Sequence, residues 1–191
     1  MVQFLFYVLL IVAANIHLVF TQDFSSEVKA QAPIILKALN SNSTLKDKIK
    51  SDCLIAVLFN PASQMSEQEK KSIISAIEEN GNIKVHGKKV KALEIPMTPD
   101  LNLEKKVIIN KINAFWLASE LQPFMDTIRE SAKYNQVITI SADDRLVNEA
   151  LVTMGTQKTT TGYRLIVNMQ EAQNINIDLN KNLLSEAIII P

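Results

Sequence analysis

The sequence predicts an α/β fold: a single layered domain with a mostly parallel sheet, helices on both faces and an antiparallel edge hairpin. Short apolar stretches at 54–59, 83–95, 112–118 and 137–140 have the length of buried strands and alternate with longer amphipathic stretches. Such alternation is typical of a parallel sheet covered by helices. Two further apolar stretches within 151–168 are separated only by a short polar turn, which indicates an antiparallel hairpin.

The composition fits one globular domain and excludes several classes of protein. The chain has 191 residues, of which 47% are hydrophobic and 21% charged, so it is neither disordered nor fibrous. Its 20 basic residues balance 20 acidic ones, and no basic block stands out, which argues against a nucleic-acid partner. Only four glycines are present, which leaves no room for a glycine-rich phosphate loop.

The first 21 residues differ from the rest and predict a cleaved export signal. Met1–Thr21 contains no charged side chain, and its continuous apolar core, Phe4–Ala14, is shorter than the roughly 20 residues of a membrane span. Cleavage after Thr21 would leave Gln22 as the new N-terminus. We therefore expect a signal peptide over residues 1–21 and one domain over 22–191. An uncleaved N-terminal anchor is the alternative.

The helices are predicted from apolar residues that recur on one face. Ser25 and Ser26 can cap the first helix, which extends to about Leu39. Pro33 lies inside it and predicts a kink or a break, because proline removes a backbone donor. The other predicted helices are Met65–Asn80, Leu103–Asn110, Leu121–Tyr134, Asp143–Glu149 and Leu179–Ile188. Asp178 is the predicted cap of the last helix.

The strands are predicted from branched and aromatic residues between turn residues. Leu54–Phe59 ends at Asn60 and Pro61, and its continuous apolar character is typical of a strand buried on both faces. Ile83–Val85 and Val90–Ile95 flank the turn at His86 and predict a hairpin. The remaining predicted strands are Ile112–Ala118, Val137–Ile140, Leu151–Gln157 and Tyr163–Asn168, the last two around a turn at Lys158–Gly162.

The residues that could carry catalysis are few. After export His86 is the one remaining imidazole, and its place in a turn beside two lysines predicts an exposed side chain. No G-x-S-x-G elbow presents a serine nucleophile. One histidine and one cysteine, Cys53, cannot form a metal site of the usual composition, and Cys53 is expected to be a buried small hydrophobe. We expect no catalytic residue, no metal and no cofactor, and hence no enzyme.

Polar residues follow several of the predicted strands. Open α/β sheets bind ligands beyond the carboxyl ends of their strands. By that rule a crevice would be rimmed by Asn60, Ser63, Ser119, Ser141 and Asp143. The alternative is that these residues only cap the helices that follow them.

Two runs near the end of the sequence share a pattern with a known family. In Tyr163–Ala172 a strand leads into an asparagine and a short turn with alanine, and in Ile177–Ala187 a helix carries two leucines and an alanine. Pro33–Leu39 matches that family's opening helix, and Leu54–Pro61 matches its first strand and following loop. On these residues the chain resembles the YfiR-like proteins over roughly residues 25–190.

The resemblance implies a periplasmic, non-enzymatic protein. It implies binding to the periplasmic sensor part of a membrane diguanylate cyclase, whose restraint lowers cyclic-di-GMP signalling. Disulfides and dimerisation accompany that pattern, so a homodimer is possible here. With Cys53 as its one cysteine, this chain departs from the pattern, because no intramolecular disulfide can regulate it.

Two functions therefore stand as hypotheses. The first is an exported regulatory protein that binds an envelope or inner-membrane signalling protein. Its candidate contact residues lie on loops: Asn60 and Ser63 after the first strand, and Tyr163 and Arg164 at the hairpin turn. The opposing interpretation is that Tyr163 belongs to the core and that Arg164 is a solvated strand residue. The alternative function is a periplasmic small-solute binding module that uses the strand-end crevice as a single lobe.

Overall fold

The computed structural model describes residues 25–191 and forms a seven-stranded sheet with the order β2-β1-β3-β4-β5-β6-β7. The strands are β1 (Cys53–Phe59), β2 (Val90–Pro96), β3 (Ala114–Leu117), β4 (Ile138–Ser141), β5 (Met154–Thr159), β6 (Gly162–Asn168) and β7 (Ile188–Ile190). Strands β1 to β5 are parallel, β6 is antiparallel to β5, and β7 is parallel to β6. The predicted α/β class is confirmed, whereas the predicted signal peptide lies outside the described residues.

The helices cover both faces of the sheet. They are α1 (25–40), α2 (Ser43–Lys48), α3 (Gln64–Glu79), α4 (Leu103–Asn110), α5 (Met125–Asn135), α6 (Asp144–Asn148), α7 (Met169–Asn174) and α8 (Lys181–Glu186). The apolar faces of α1 and α3 pack in one cluster, and those of α4 and α5 pack in a second. Trp116 and Phe115, neighbours in β3, are fully buried in opposite clusters, so this strand is covered on both sides. Full burial of such a side chain stabilises the fold by about 1.5–3 kcal/mol.

The first helix continues through Pro33. Residues on both sides of the proline are helical, so the predicted break does not occur. The apolar face of α1, which includes Val28, Ile35 and Leu39, is fully buried. Packing of this face holds the helix together across the missing backbone donor, since tertiary burial outweighs the loss of one hydrogen bond.

The predicted hairpin at 83–95 is wrong. Only Val90–Pro96 joins the sheet, parallel to β1, whereas Val85 forms a single bridge with Lys88 around a tight turn. His86 and Gly87 in that turn both have positive φ, at 49° and 76°. The His86 amide donates to Asn40 Oδ1 at 2.6 Å, and its ring Nε2 lies 2.7 Å from the Asn42 carbonyl oxygen. His86 is thus half-buried against the end of α1 rather than solvent-exposed.

The C-terminal part of the fold differs from the predicted long helix. Helix α8 covers only Lys181–Glu186, and Asn180 rather than Asp178 caps it, with its Oδ1 accepting from the Asn182 amide at 2.7 Å. The chain then leaves the helix at Ala187 and forms β7, which lies outside the hairpin of β5 and β6. Ile188 pairs with Ile166 of β6. Within residues 25–191, no helix is both long enough and apolar enough to cross a membrane.

Cys53 begins β1 and is fully buried, as expected. Burial raises the pKa of its thiol to about 12, so the thiolate is scarce at neutral pH. Because thiolates are the species that form disulfides, Cys53 is poorly suited to bond a second chain.

Candidate functional site

A crevice of about 390 Å³ lies at the carboxyl ends of β3 and β4. Its walls are the loop after β3, the turn after β4, the start of α6 and residues of α1 and α3. From β1 the chain crosses to β2 on one side and then to β3 on the other, so the strand order reverses at β1 and β3. Open α/β sheets bind ligands at such a reversal. The crevice lies directly beside it.

Asn60 connects two loops at the point where the strand order reverses. Its Nδ2 donates to the carbonyl oxygen of Glu120 at 3.1 Å, and its Oδ1 accepts from the amide of Ala62 at 3.0 Å. The loop after β1 is thereby tied to the loop after β3. Ser63, only 8% exposed, caps α3 by accepting from the Ser66 amide at 3.1 Å. Neither Asn60 nor Ser63 lines the crevice, although strand-end reasoning places both at its rim.

Glu69 of α3 is a buried carboxylate in the crevice wall, with only 5% of the residue exposed. It accepts a hydrogen bond from the backbone amide of Ser119. Burial raises the pKa of Glu69 to about 7, and the nearby negative charge of Asp143 adds to this rise. Within the described chain no ion pair reaches Glu69, because the neighbouring Lys70 binds carboxylates of α3 and β2 instead.

Gln31 of α1 faces the same crevice and is 4% exposed. Nothing in residues 25–191 donates a hydrogen bond to its Oε1. Buried polar groups in native proteins are almost always hydrogen-bonded. The crevice therefore holds a buried acceptor that the described part of the chain leaves unused.

Asp143 and Arg145 form the outer part of the crevice. Asp143 Oδ1 caps α6 by accepting from the Arg145 amide at 3.0 Å, and Arg145 Nη2 lies 2.6 Å from Asp143 Oδ2. The guanidinium holds the pKa of Asp143 below its usual value. Ser119, Ser141 and Asp143 all line the crevice, as the position of the strand ends predicts. Asp143 also serves as a helix cap, so both sequence interpretations apply to it.

Tyr163 and Arg164 lie elsewhere in the fold. Strands β3, β4 and β5 separate their strand, β6, from β1, so the structure does not bring them together with Asn60 and Ser63. Arg164 Nε donates to the carbonyl oxygen of Glu186 at 2.8 Å and fastens β6 to the end of α8. Half-buried Tyr163 hydrogen-bonds to Glu27 of α1, which also binds Lys158 at 2.9 Å. The hairpin turn is tighter than predicted, since Thr159 pairs directly with Gly162.

Glu69 and Gln31 are two buried polar residues of the crevice that sequence reasoning missed. A usable signal is present, because each occupies a position on the apolar face of its helix. Glu69 precedes Ile73 by one turn, and Gln31 precedes Ile35 by one turn. A carboxylate or an amide on such a face is either paired or functional. In the described chain no three His, Cys, Asp or Glu side chains are grouped to hold a metal ion.

Comparisons with protein-family models and with curated proteins give no match. Among solved structures the chain is similar to the ABC domain in complex with L-Trp from Streptococcus pneumoniae, with 13% identity, a TM-score of 0.58, and coverage of 85% of this chain and 60% of that one. It is similar to a conserved domain protein from Vibrio cholerae, with 12% identity, a TM-score of 0.53, and coverage of 76% and 57%. It is also similar to the ligand-free, open structure of a substrate-binding protein with adhesive properties from Clostridium difficile, with 15% identity, a TM-score of 0.52, and coverage of 76% and 57%. The chain thus spans less than two thirds of each of these structures, and at this level of identity the likeness shows a shared α/β fold.

Proposed function

We propose that this chain is an exported, non-catalytic binding module that takes up a small solute in the crevice beyond β3 and β4. The observation that carries the proposal is the buried Oε1 of Gln31, which has no partner in residues 25–191 and lies in a cavity of about 390 Å³. Cavities of roughly 300–1,000 Å³ that combine apolar walls with a few convergent polar groups are the usual binding sites for small molecules. Two of the similar structures, an L-Trp complex and a substrate-binding protein, support the same choice.

The walls of the crevice suit reversible binding rather than catalysis. His86, the histidine of the described chain, precedes β2 and so lies at the amino ends of the strands, across the sheet from the crevice. Its ring is engaged by the Asn42 carbonyl. No general base of that type can reach a solute held beside Ser119, since proton transfer needs hydrogen-bond distance. All of the walls belong to one α/β domain, and a single lobe of this kind is expected to bind with modest affinity.

Filling the crevice should abolish solute binding without unfolding the protein. Ala142 lines the crevice and is half-buried, so the indole in Ala142→Trp would occupy the space of the ligand. Ala62→Trp is the matched control, because Ala62 is exposed on the loop after β1 and lies outside the crevice. The experiment is a thermal-shift screen of the mature chain with amino acids, amines, sugars and organic acids, followed by calorimetric titration of each hit.

We expect at least one solute to raise the melting temperature of the wild type and of Ala62→Trp in a saturable way. The same solute should have no effect on Ala142→Trp. A screen without hits, or hits that survive Ala142→Trp unchanged, would contradict the proposal.

A second candidate function is the restraint of a membrane diguanylate cyclase, as the resemblance to YfiR-like proteins implies. Its support is local: β6 ends at Asn168, which caps α7, and the helix that follows after a link carries Leu183 and Leu184 against the core. Asn168 Oδ1 accepts from the Glu171 amide at 2.9 Å, and its Nδ2 donates to the Val147 carbonyl at 3.0 Å. Asn168, the asparagine that follows the strand in the YfiR-like pattern, thus has a structural role in this chain.

The regulatory candidate predicts capture of a membrane-bound cyclase from solubilised membranes by the immobilised mature chain. Tyr163→Ala combined with Arg164→Ala should reduce that capture while the circular dichroism spectrum stays native. Lys133→Ala combined with Tyr134→Ala is a matched control, since it removes an exposed basic and aromatic pair from α5. Equal loss of capture in both double variants, or no cyclase among the retained proteins by mass spectrometry, would exclude this hairpin as the contact.

A further inference from the structure

We propose that the crevice selects a solute that bears a protonated amine, with the Glu69 carboxylate and the Gln31 Oε1 as the acceptors of its N–H groups. This inference rests on the proposed function and names the chemical class of the ligand. It starts from the mismatch between acceptors and donors in the crevice. Gln31 Oε1 has no donor in the described chain, and the hydrogen bonds to the Glu69 carboxylate there come from an uncharged residue, Ser119. A ligand that complements this arrangement must bring donors.

The charges of the crevice favour a cationic donor over a neutral one. Four carboxylates, those of Glu27, Glu69, Glu120 and Asp143, line it against one guanidinium. Arg145 is already bound by Asp143, and Glu27 is already bound by Lys158. Within the described residues Glu69 and Glu120 are the two without a cation, and Glu69 is the buried one, since Glu120 is exposed. An ammonium group would supply the missing countercharge through charge-assisted hydrogen bonds, which are about twice as strong as neutral ones.

Helix N-termini could in principle favour an anion here, because α3 and α6 both begin at this edge of the sheet. In each helix a side chain of the chain itself already accepts from one first-turn amide. Ser63 accepts from the Ser66 amide, and Asp143 accepts from the Arg145 amide. An anion entering the crevice would meet the Glu69 and Asp143 carboxylates, and that repulsion outweighs the remaining partial charge of a capped helix.

The apolar part of the crevice lining indicates the body of the ligand. Val28, Leu121 and Met125 are buried lining residues, and Met65 is 59% exposed at the same site. Methionine adapts to ligands of different shape and contacts aromatic rings favourably. We therefore expect an amine attached to a compact apolar group.

Three probes with the same apolar body test the class of ligand: phenethylamine, 2-phenylethanol and phenylacetate. Calorimetric titration of the mature chain at pH 7.5 should show binding of phenethylamine at least about tenfold tighter than 2-phenylethanol, the expected value of one charge-assisted contact. Phenylacetate should not bind measurably. Phenylacetate or 2-phenylethanol binding as tightly as phenethylamine would overturn the inference.

Two variants assign the selectivity to Glu69. Glu69→Gln keeps the shape of the side chain and the acceptor for Ser119 but removes the charge. The affinity for phenethylamine should therefore fall to that for 2-phenylethanol. Glu78→Gln removes an exposed carboxylate from the same helix outside the crevice and should leave the tenfold preference intact. Retention of the full preference in Glu69→Gln would show that Glu69 does not recognise the amine.

Failure of this inference is distinguishable from failure of the proposed function. If none of the three probes binds but another solute binds wild type and not Ala142→Trp, the crevice is a binding site for a different class of ligand. If no solute depends on Ala142, the crevice is not a binding site and both proposals fall together.

Discussion

Glu69→Gln is expected to stabilise the empty protein by about 3 kcal/mol at pH 8. Burial raises the pKa of Glu69 from an ordinary 4.5 to about 7. Each unit of pKa corresponds to about 1.4 kcal/mol, so ionising this carboxyl in the folded chain costs about 3 kcal/mol. Glutamine avoids the ionisation and still offers an oxygen to the Ser119 amide.

The sign of the pH dependence follows from the raised pKa. Between pH 4.5 and 7 the folded wild type holds a proton that the unfolded chain has lost, so its free energy of unfolding falls as the pH rises. The gap between Glu69→Gln and wild type should therefore be small near pH 5, widen up to about pH 7 and stay constant above it. Urea denaturation at pH 5, 6, 7 and 8 measures this, with Glu78→Gln as a control expected within about 0.5 kcal/mol of wild type. A gap that does not change with pH would mean that the Glu69 carboxylate is not buried.

Gly155→Ala should destabilise the fold by about 3 kcal/mol, at the upper end of the usual cost of overpacking. A Cβ on Gly155 would clash with the Ser141 carbonyl oxygen and lie 3.0 Å from Val147 Cγ2. The first contact is with backbone, so β5 must move away from β4, and only two residue pairs join these strands. Because Ser141 also lines the crevice, we expect solute affinity to fall together with stability.

Gly81→Ala is the matched control for that substitution. Its closest contact would be the Glu78 carbonyl oxygen at 3.1 Å, after the end of α3 rather than within the sheet. We expect this control to change the free energy of unfolding by less than about 1 kcal/mol. If urea denaturation shows similar losses of stability in both alanine variants, the close packing of β4 against β5 does not depend on the absence of a side chain at Gly155.

Elements with long, regular apolar patterns were predictable from the sequence. Helix α4 has the predicted bounds, α3 is shifted by one residue at both ends, and β1 begins one residue earlier than predicted. Three short elements were missed, α2, α7 and β7, because their own sequences carry too little periodicity to identify them. The run Ile188–Ile190 continues the apolar pattern of a helix, and only its pairing with β6 makes it a strand.

The position of the candidate site could be predicted from the sequence, but the contacts and the burial of its side chains could not. The ends of β3 and β4 follow from the apolar runs, so sequence reasoning alone places Ser119 and Asp143 at a rim. The tie between Asn60 and Glu120 could not be predicted, because it joins loops that are distant in sequence. The burial of Glu69 could not be predicted either, since it depends on how α3 and the loop after β3 pack together.

The walls of the crevice come from opposite parts of the sequence, with Gln31 near one end of the described chain and Asp143 far along it. The crevice therefore exists only in the completed fold, and any solute that enters it binds the folded state alone. At a concentration one hundred times its dissociation constant, such a solute adds about 2.7 kcal/mol to the free energy of unfolding. That gain is close to the free energy that ionising the buried Glu69 carboxyl costs. A bound solute would therefore largely offset this loss of stability in the empty protein. Because proteases remove unfolded chains, the lifetime of this protein would then follow the supply of its solute.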